Sequence, residues 1–182
     1  MQRSVLFNAG ELERTYLRLA HQIIEPLEQL QDLALIGLQT RGVYIAKKLR
    51  HIIEEEYHQK VDFGILDVTF YRDDFRTKMK MPEVKITDIP FDLYDRNVIL
   101  VDDVLYTGRT LRSAMDAVMG FGRPHQISFC CMVDRGHREL PIQADYVGKF
   151  VPTHVNEEVR VRVKELDGED TVYLISNEEG ED

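Results

Sequence analysis

The sequence predicts an α/β fold whose central sheet is mostly parallel and flanked by helices. Three runs carry that expectation: LALIGL (Leu33–Leu38), VILV (Val98–Val101) and HQISFCCMV (His125–Val133). They are apolar without strict alternation, the pattern of strands covered on both faces. The first two pass through a tight loop straight into a helical pattern, which is the repeating unit of a parallel sheet. At 182 residues and 43% hydrophobic content, the chain 1–182 reads as a single domain with a full core, without repeat or linker.

The first element is a helix from about Ala9 to the late twenties. Asn8 and Glu11 have capping-box spacing, with Asn in place of the usual Ser or Thr. Leu12, Tyr16, Leu19, Ile23 and Leu27 form its apolar stripe, while Arg14, Arg18 and His21 neighbour one another on another side. That basic side reads either as a solvated face or as a contact for RNA phosphates. LALIGL then leads through Gln39-Thr40-Arg41-Gly42 into the helix VYIAKKLRHIIEEEYH. Arg41 is the charged side chain of that loop, and Gly42 permits close backbone approach, a combination suited to a pyrophosphate group.

VDFGILDVTF (Val61–Phe70) reads as the next strand. The following residues, 71–96, are dense in charge and lack periodicity, so they read as a surface excursion or as a flexible loop or hairpin over a site. Tyr71, Arg72, Arg76 and Lys80 are its candidates for facing pyrophosphate. Beyond the central motif, GFGRP is a turn and His125–Val133 a strand. The next stretch, DRGHRELPIQADYVGK, concentrates Asp134, Arg135, His137, Arg138 and Glu139 around Gly136. His137 has no Ser or Cys nucleophile nearby in sequence, which gives it little weight as a catalytic base. VRVRVKEL-DGED-TVYLIS predicts two strands about an Asp167-Gly168 turn, with Arg160, Arg162 and Lys164 alternating with Val159, Val161 and Val163. Residues 177–182, NEEGED, read as an acidic tail.

The chemistry concentrates in VILVDDVLYTGRT, Val98–Thr110. Asp102 and Asp103 fall where the buried strand should end, at the carboxyl edge where open α/β sheets place their ligands. The loop from Val104 through Leu105, Tyr106, Thr107 and Gly108 to Arg109 precedes a helix whose Leu111, Ala114, Met115 and Val118 share one face. N–H groups at the start of a helix lack intrahelical partners and attract anions. The helix dipole contributes only about 0.3–1 kcal/mol, so the Thr107 and Thr110 hydroxyls and several amides must converge on a phosphate. The loop is not a Walker A sequence, whose lysine and spacing are absent. Acids before a phosphate loop suit a sugar phosphate.

Lys and Arg total 23 against 32 Asp and Glu, a net charge of −9. That balance argues against wholesale nucleic-acid binding, although a local basic face is compatible with it. Cys130 and Cys131, the only cysteines, are adjacent in an apolar run and lack metal-ligand spacing. The start of the chain carries no signal-peptide pattern, and no apolar run is long enough to span a membrane. These features predict a soluble, cytoplasmic protein with no membrane partner.

Strand, acid pair, TGRT loop and amphipathic helix together resemble the phosphoribosyl diphosphate (PRPP) signature of type I phosphoribosyltransferases. The runs GLQTRGVYIAKKL, DVTFYRDDF, TDIPFDL, VILVDDVLYTGRT and VDRGHRELPIQADYVGKFVPT resemble the branch that joins uracil phosphoribosyltransferase activity to control of the pyrimidine operon. The resemblance implies the type I fold, with a small hood formed around Val133–Arg138 and taken over 134–145, and a cis non-proline peptide in the Thr40 loop. It implies Mg²⁺-dependent formation of UMP and diphosphate from uracil and PRPP. Asp102 and Asp103 would hold the ribose hydroxyls near Mg²⁺ carried mainly by PRPP, and with Arg41 they are the catalytic candidates. Thr107 to Thr110 would bind the 5′-phosphate, with Val104, Leu105 and Tyr106 also among the PRPP contacts, and Thr40, Arg41 and Gly42 the diphosphate. Val133, Arg135, Gly136 and Val159 would enclose the base; no protein group is assigned as its general base.

The resemblance further implies a homo-oligomer, dimer or higher, that binds leader mRNA of the pyrimidine operon in response to UMP or UTP. Arg14, Arg18, His21, Arg138 and Lys149 are the RNA-binding candidates. Gln143 stands where such regulators commonly have arginine, and Pro26 replaces a polar or basic residue. Two other readings stay open: a purine or salvage phosphoribosyltransferase without RNA binding, and a non-catalytic nucleotide-sensing RNA regulator.

Overall fold

The structure, a computed structural model, describes residues 2–68 and 86–176. The chain runs β1 (Gln2–Phe7), α1 (Ala9–Ile24), β2 (Leu33–Leu38), α2 (Arg41–Tyr57), β3 (Asp62–Leu66) and β4 (Asn97–Leu105). It continues with α3 (Arg109–Met119), β5 (Gln126–Asp134), β6 (Tyr146–Phe150), β7 (Glu157–Arg162), the single turn α4 (Lys164–Asp167) and β8 (Thr171–Ser176). Strands pair in the order β3-β2-β4-β5-β6, parallel throughout. A second, antiparallel sheet has the order β1-β8-β7.

Both faces of the parallel sheet are covered, which explains its unbroken apolar strands. Leu33, Leu35, Ile99, Val101, Cys130 and Met132 pack on one side with α1, α2 and the antiparallel sheet. Ala34, Ile36, Leu38, Val98, Leu100, Phe129 and Cys131 pack on the other with α3. The period-2 geometry of a strand divides a continuous apolar run between two cores. No helix among the described residues is long and apolar enough to cross a membrane.

The capping box of α1 forms in full: Glu11 N–H donates to Asn8 Oδ1 at 3.0 Å and Asn8 N–H to Glu11 Oε2 at 2.9 Å. The helix stops at Ile24, short of the expected late twenties, because Pro26 lacks an N–H and cannot extend it. Leu27 still packs on the core, from outside the helix.

Other boundaries shift as well. The strand expected over Val61–Phe70 is Asp62–Leu66. The region 71–96 divides: Tyr71, Arg72, Arg76 and Lys80 lie outside the described residues, whereas Ile89, Phe91 and Leu93 within 86–96 pack on the core. Ile65 and Asp88 exchange both backbone hydrogen bonds, and Leu93 is fully buried. The tail 177–182 also lies outside the described residues. β1 and β6 are strands that the sequence reading lacked. The tight turn expected at Asp167-Gly168 is instead α4, ended by Gly168 in the left-handed region (φ 79°).

Beyond Asp134, residues 135–145 form neither helix nor strand. The β1-β8-β7 sheet forms a second layer built from the two ends of the chain.

Candidate active site at the carboxyl edge of the sheet

A cavity of about 880 Å³ opens at the carboxyl ends of β2 and β4. Gln39, Thr40 and Arg41 line it from one loop, Asp102 to Leu111 from the other, and Arg135, Glu139, Glu158 and Val159 close its sides. A side pocket of about 390 Å³ continues past Arg41 and Asp103 to Glu158–Arg162 on β7. Among the described residues, the cavity therefore gathers every expected PRPP contact except Gly42, along with two of the four expected base contacts.

The acid pair lies inside β4, which continues to Leu105, rather than after the end of the strand. Its loop is correspondingly only Tyr106–Gly108, with Arg109 already helical. Backbone amides hold the two carboxylates. Asp103 N–H donates to Asp102 Oδ1 at 2.9 Å, and Val104 N–H donates to Asp103 Oδ1 at 2.8 Å. Burial pushes the Asp103 carboxyl above its ordinary 3.8, against the opposing pull of the Asp102 side chain, the Val104 amide and Arg41.

On the phosphate side, Gly108 adopts φ 92°, a conformation that side chains oppose. Thr107 Oγ1 accepts from Arg109 N–H at 3.3 Å, and Arg109 Nε donates to Glu139 Oε2 at 2.6 Å. The backbone at the start of α3 thus lines the cavity, where helix N-terminal amides suit an anion.

On the opposite side, the Gln39–Thr40 peptide is cis, as the family resemblance implies. Gly42 lies beneath this loop, where the absence of a Cβ lets α2 approach β4: a Cβ there would meet the Val101 carbonyl oxygen and lie 3.0 Å from Asp102 Cα. Arg41 is fixed from a distance. Its Nη2 and Nε donate to Asp167 Oδ1 and Oδ2 at 2.8 and 3.1 Å. The Arg41 guanidinium holds the Asp167 carboxyl below its usual range.

The expected base contacts separate. Val159 and Arg135 line the cavity, whereas Val133 is fully buried in the core and Gly136 (φ 78°) supplies a turn. Arg135 Nε donates to Thr153 Oγ1 at 3.1 Å and Nη2 to the Glu157 carbonyl at 2.7 Å. Its guanidinium stacks 4.1 Å from the centroid of the Tyr106 ring, a cation–π contact. Sequence reasoning missed Gln39, Glu139, Glu158 and Asp167 at this site. No local spacing rule signals contacts between loops so far apart in the chain.

The RNA candidates do not share one surface role. Arg18 donates to the carbonyls of Val147 (3.2 Å) and Gly148 (2.5 Å), and His21 pairs with Glu56 at 2.7 Å. Lys149 Nζ lies 3.3 Å from the Leu6 carbonyl, and Arg14 is exposed on α1. Arg138 points instead into the turn after β4, bonding the Tyr106 carbonyl.

Among the described residues, no group of three or more His, Cys, Asp or Glu is placed to hold a metal. Two carboxylates in a polar cavity still offer the hard oxygen donors that suit Mg²⁺, with the remaining coordination left to substrate and water.

The phosphoribosyl transferase domain model matches residues 4–166. The chain is 49% identical over 176 residues to the bifunctional protein PyrR of Thermus aquaticus, covering 97% of each. It is 52% identical over 165 residues to the bifunctional protein PyrR of Elusimicrobium minutum, covering 91% of this chain and 92% of that one. In fold it is similar to the hypoxanthine phosphoribosyltransferase of Trypanosoma cruzi, with a TM-score of 0.72 at 18% identity over 96% of this chain and 97% of that one.

Proposed function

The chain belongs to the phosphoribosyl transferase family, with bifunctional PyrR proteins as near relatives, and from that premise we propose that it makes UMP and diphosphate from uracil and PRPP. The observation that carries this reading is the placement of Asp102 and Asp103 between the cis-peptide loop at Thr40 and the Gly108 turn, all on one cavity.

In this reading each wall grips a different part of PRPP. Thr107 to Thr110, with the amides at the start of α3, hold the 5′-phosphate. Asp102 and Asp103 accept hydrogen bonds from the ribose hydroxyls. Thr40 and Arg41 face the diphosphate, over the close approach that Gly42 allows. Arg135 and Val159 border the base. Fixing both reactants in one geometry supplies up to about 7–11 kcal/mol toward displacement at the anomeric carbon. Mg²⁺, when bound with PRPP near Asp102 and Asp103, stabilises charge growing on the departing diphosphate.

The second activity in this reading is control of the pyrimidine operon through binding of its leader mRNA, responsive to uridine nucleotides. Arg14, Arg18 and Lys149, on α1 and the adjoining edge strand β6, are the contacts it would use, presented by a homo-oligomer.

The test is UMP formation by purified protein with PRPP and Mg²⁺, measured against hypoxanthine, guanine, adenine and orotate. Uracil is expected to be the preferred acceptor. Turnover of a purine base without UMP would reject the assignment.

A further inference from the structure

One guanidinium sits behind the phosphate turn with all its edges engaged. Arg138 Nη1 donates to the carbonyl oxygens of Tyr106 (2.6 Å) and Gly136 (3.2 Å), and Nε donates to that of Ile142 (3.0 Å). Nη2 pairs with the Asp134 carboxylate, whose other oxygen accepts from Gly136 N–H at 3.0 Å. The planar fork of arginine spans several acceptors at once, which a lysine ammonium cannot reproduce.

Two neighbouring contacts tie the same segment to the same turn. Glu139 N–H donates to the Thr107 carbonyl at 3.0 Å. Ile142 and Leu140 approach the space that a Cβ on Gly108 would take, at 3.3 and 3.6 Å. Residues 134–142 are therefore the wall against which Tyr106–Gly108 is shaped, and Arg138 pins the two together. Arg138 does not itself line the cavity, although Arg135 and Glu139 on either side of it do.

We propose that Arg138 is a positioning residue for the 5′-phosphate subsite: by holding the Tyr106 carbonyl, it sets the Thr107–Thr110 amides and hydroxyls without touching ligand. This rests on the reading of Thr107–Thr110 as the phosphate site. It gives Arg138 a task beside the RNA contact for which the family resemblance makes it a candidate.

Calorimetric titration of ribose 5-phosphate and of inorganic diphosphate into wild type, Arg138→Gln and Arg138→Lys separates the alternatives. Ribose 5-phosphate affinity is expected to fall about tenfold in Arg138→Gln and less in Arg138→Lys, with diphosphate affinity within about twofold of wild type. Parallel loss of both affinities would make Arg138 a general support of the fold and overturn the assignment. Unchanged ribose 5-phosphate affinity would overturn it too. Should Arg138→Gln fail to fold, Arg138→Lys, which keeps a charge opposite Asp134, decides by the same criteria. Uracil turnover is measured apart from binding. Wild type that binds ribose 5-phosphate but makes no UMP would count against the proposed reaction and leave the Arg138 comparison intact; wild type that binds no ribose 5-phosphate would overturn both.

Discussion

Arg41 and Asp167 meet in a two-pronged ion pair, Nη2 to Oδ1 at 2.8 Å and Nε to Oδ2 at 3.1 Å, that ties the loop after β2 to the turn after β7. Asp167 also accepts from Val163 N–H at 3.0 Å and from Arg162 Nη1 at 3.2 Å. One carboxylate thus anchors the short α4 turn and aims an arginine at the cavity. The paired geometry limits the rotamers Arg41 can sample before substrate arrives, the kind of preorganisation that favours binding.

Asp167→Asn is expected to raise the KM for PRPP several-fold while changing kcat less, and to lower stability by about 1–2 kcal/mol. The sign of its pH dependence follows from the depressed folded-state value. Above its ordinary 3.8 the carboxylate is ionised in both states, and the stabilisation by Arg41 is complete. It is lost as pH falls through the lower folded value. Melting temperatures of variant and wild type should therefore differ most near neutrality and converge as the pH falls through the lowered folded value. A constant difference across that range would contradict the pairing.

Asp103 carries the opposite sign. Burial raises its folded-state value above 3.8, so the unfolded chain ionises first and stability declines as pH rises between the two values. Above both, the partly desolvated charge remains a standing cost. Asp103→Asn should melt at or above the wild-type temperature at pH 7 while UMP formation falls by about 10²-fold or more. Asp102→Asn combined with Asp103→Asn should abolish activity in a folded protein. Calorimetry beside initial rates checks both halves, and normal kinetics in the folded double variant would remove the acid pair from the site.

Two glycines near the cavity predict different failures on substitution. A methyl group added at Gly42 would press on the backbone of Val101 and Asp102, neither of which can give without moving β4. Gly42→Ala is expected to cost about 1–3 kcal/mol and to weaken PRPP binding, because it displaces the diphosphate loop and the acid pair together. Gly168→Ala meets nothing within 4 Å, and its cost arises from φ 79° alone, about 1 kcal/mol. PRPP titration and thermal melts of the two variants distinguish a loss of site geometry from a loss of stability. Equal PRPP affinity in both would show that the α2–β4 approach does not govern binding.

The parallel sheet was legible because burial on both faces leaves continuous apolar strands. Much of the cavity was legible because it lies in two strand–loop–helix units, 33–57 and 97–119, each continuous in sequence. β1 and β6 were not. Gln2–Phe7 is exposed over most of its length and pairs with β8 from the far end of the chain. Tyr146–Phe150 is an edge strand with no fully buried residue. Edge strands need little apolar surface, so their signal is weak. Asp167 was hidden for another reason: Asp-Gly reads locally as a turn, and nothing nearby in sequence announces Arg41. The family resemblance placed Arg138 among the RNA candidates, and no sequence pattern displays the carbonyls of Tyr106, Gly136 and Ile142 that its guanidinium also holds.

The proposed RNA face predicts a modest salt dependence. Arg18 is held on the Val147 and Gly148 carbonyls, and Lys149 lies against the Leu6 carbonyl with its ammonium 5.1 Å from the Phe7 ring centroid. These cations are ordered before any RNA arrives, which lowers the side-chain entropy lost on contact. His21 already faces Glu56, and the chain as a whole carries −9, so long-range attraction for a polyanion is weak. Each phosphate neutralised contributes a slope of roughly 0.7–0.9 in log affinity against log salt. If Arg14, Arg18 and Lys149 make the contacts, Arg18→Ala should reduce the slope by about one such step, and Arg138→Gln should leave it unchanged. Titration of a pyrimidine-leader hairpin at several salt concentrations, with and without UMP, measures this directly. A slope indifferent to Arg18 would take the α1–β6 edge out of the interface, and no binding at low salt with UMP present would leave this fold with its transferase chemistry alone.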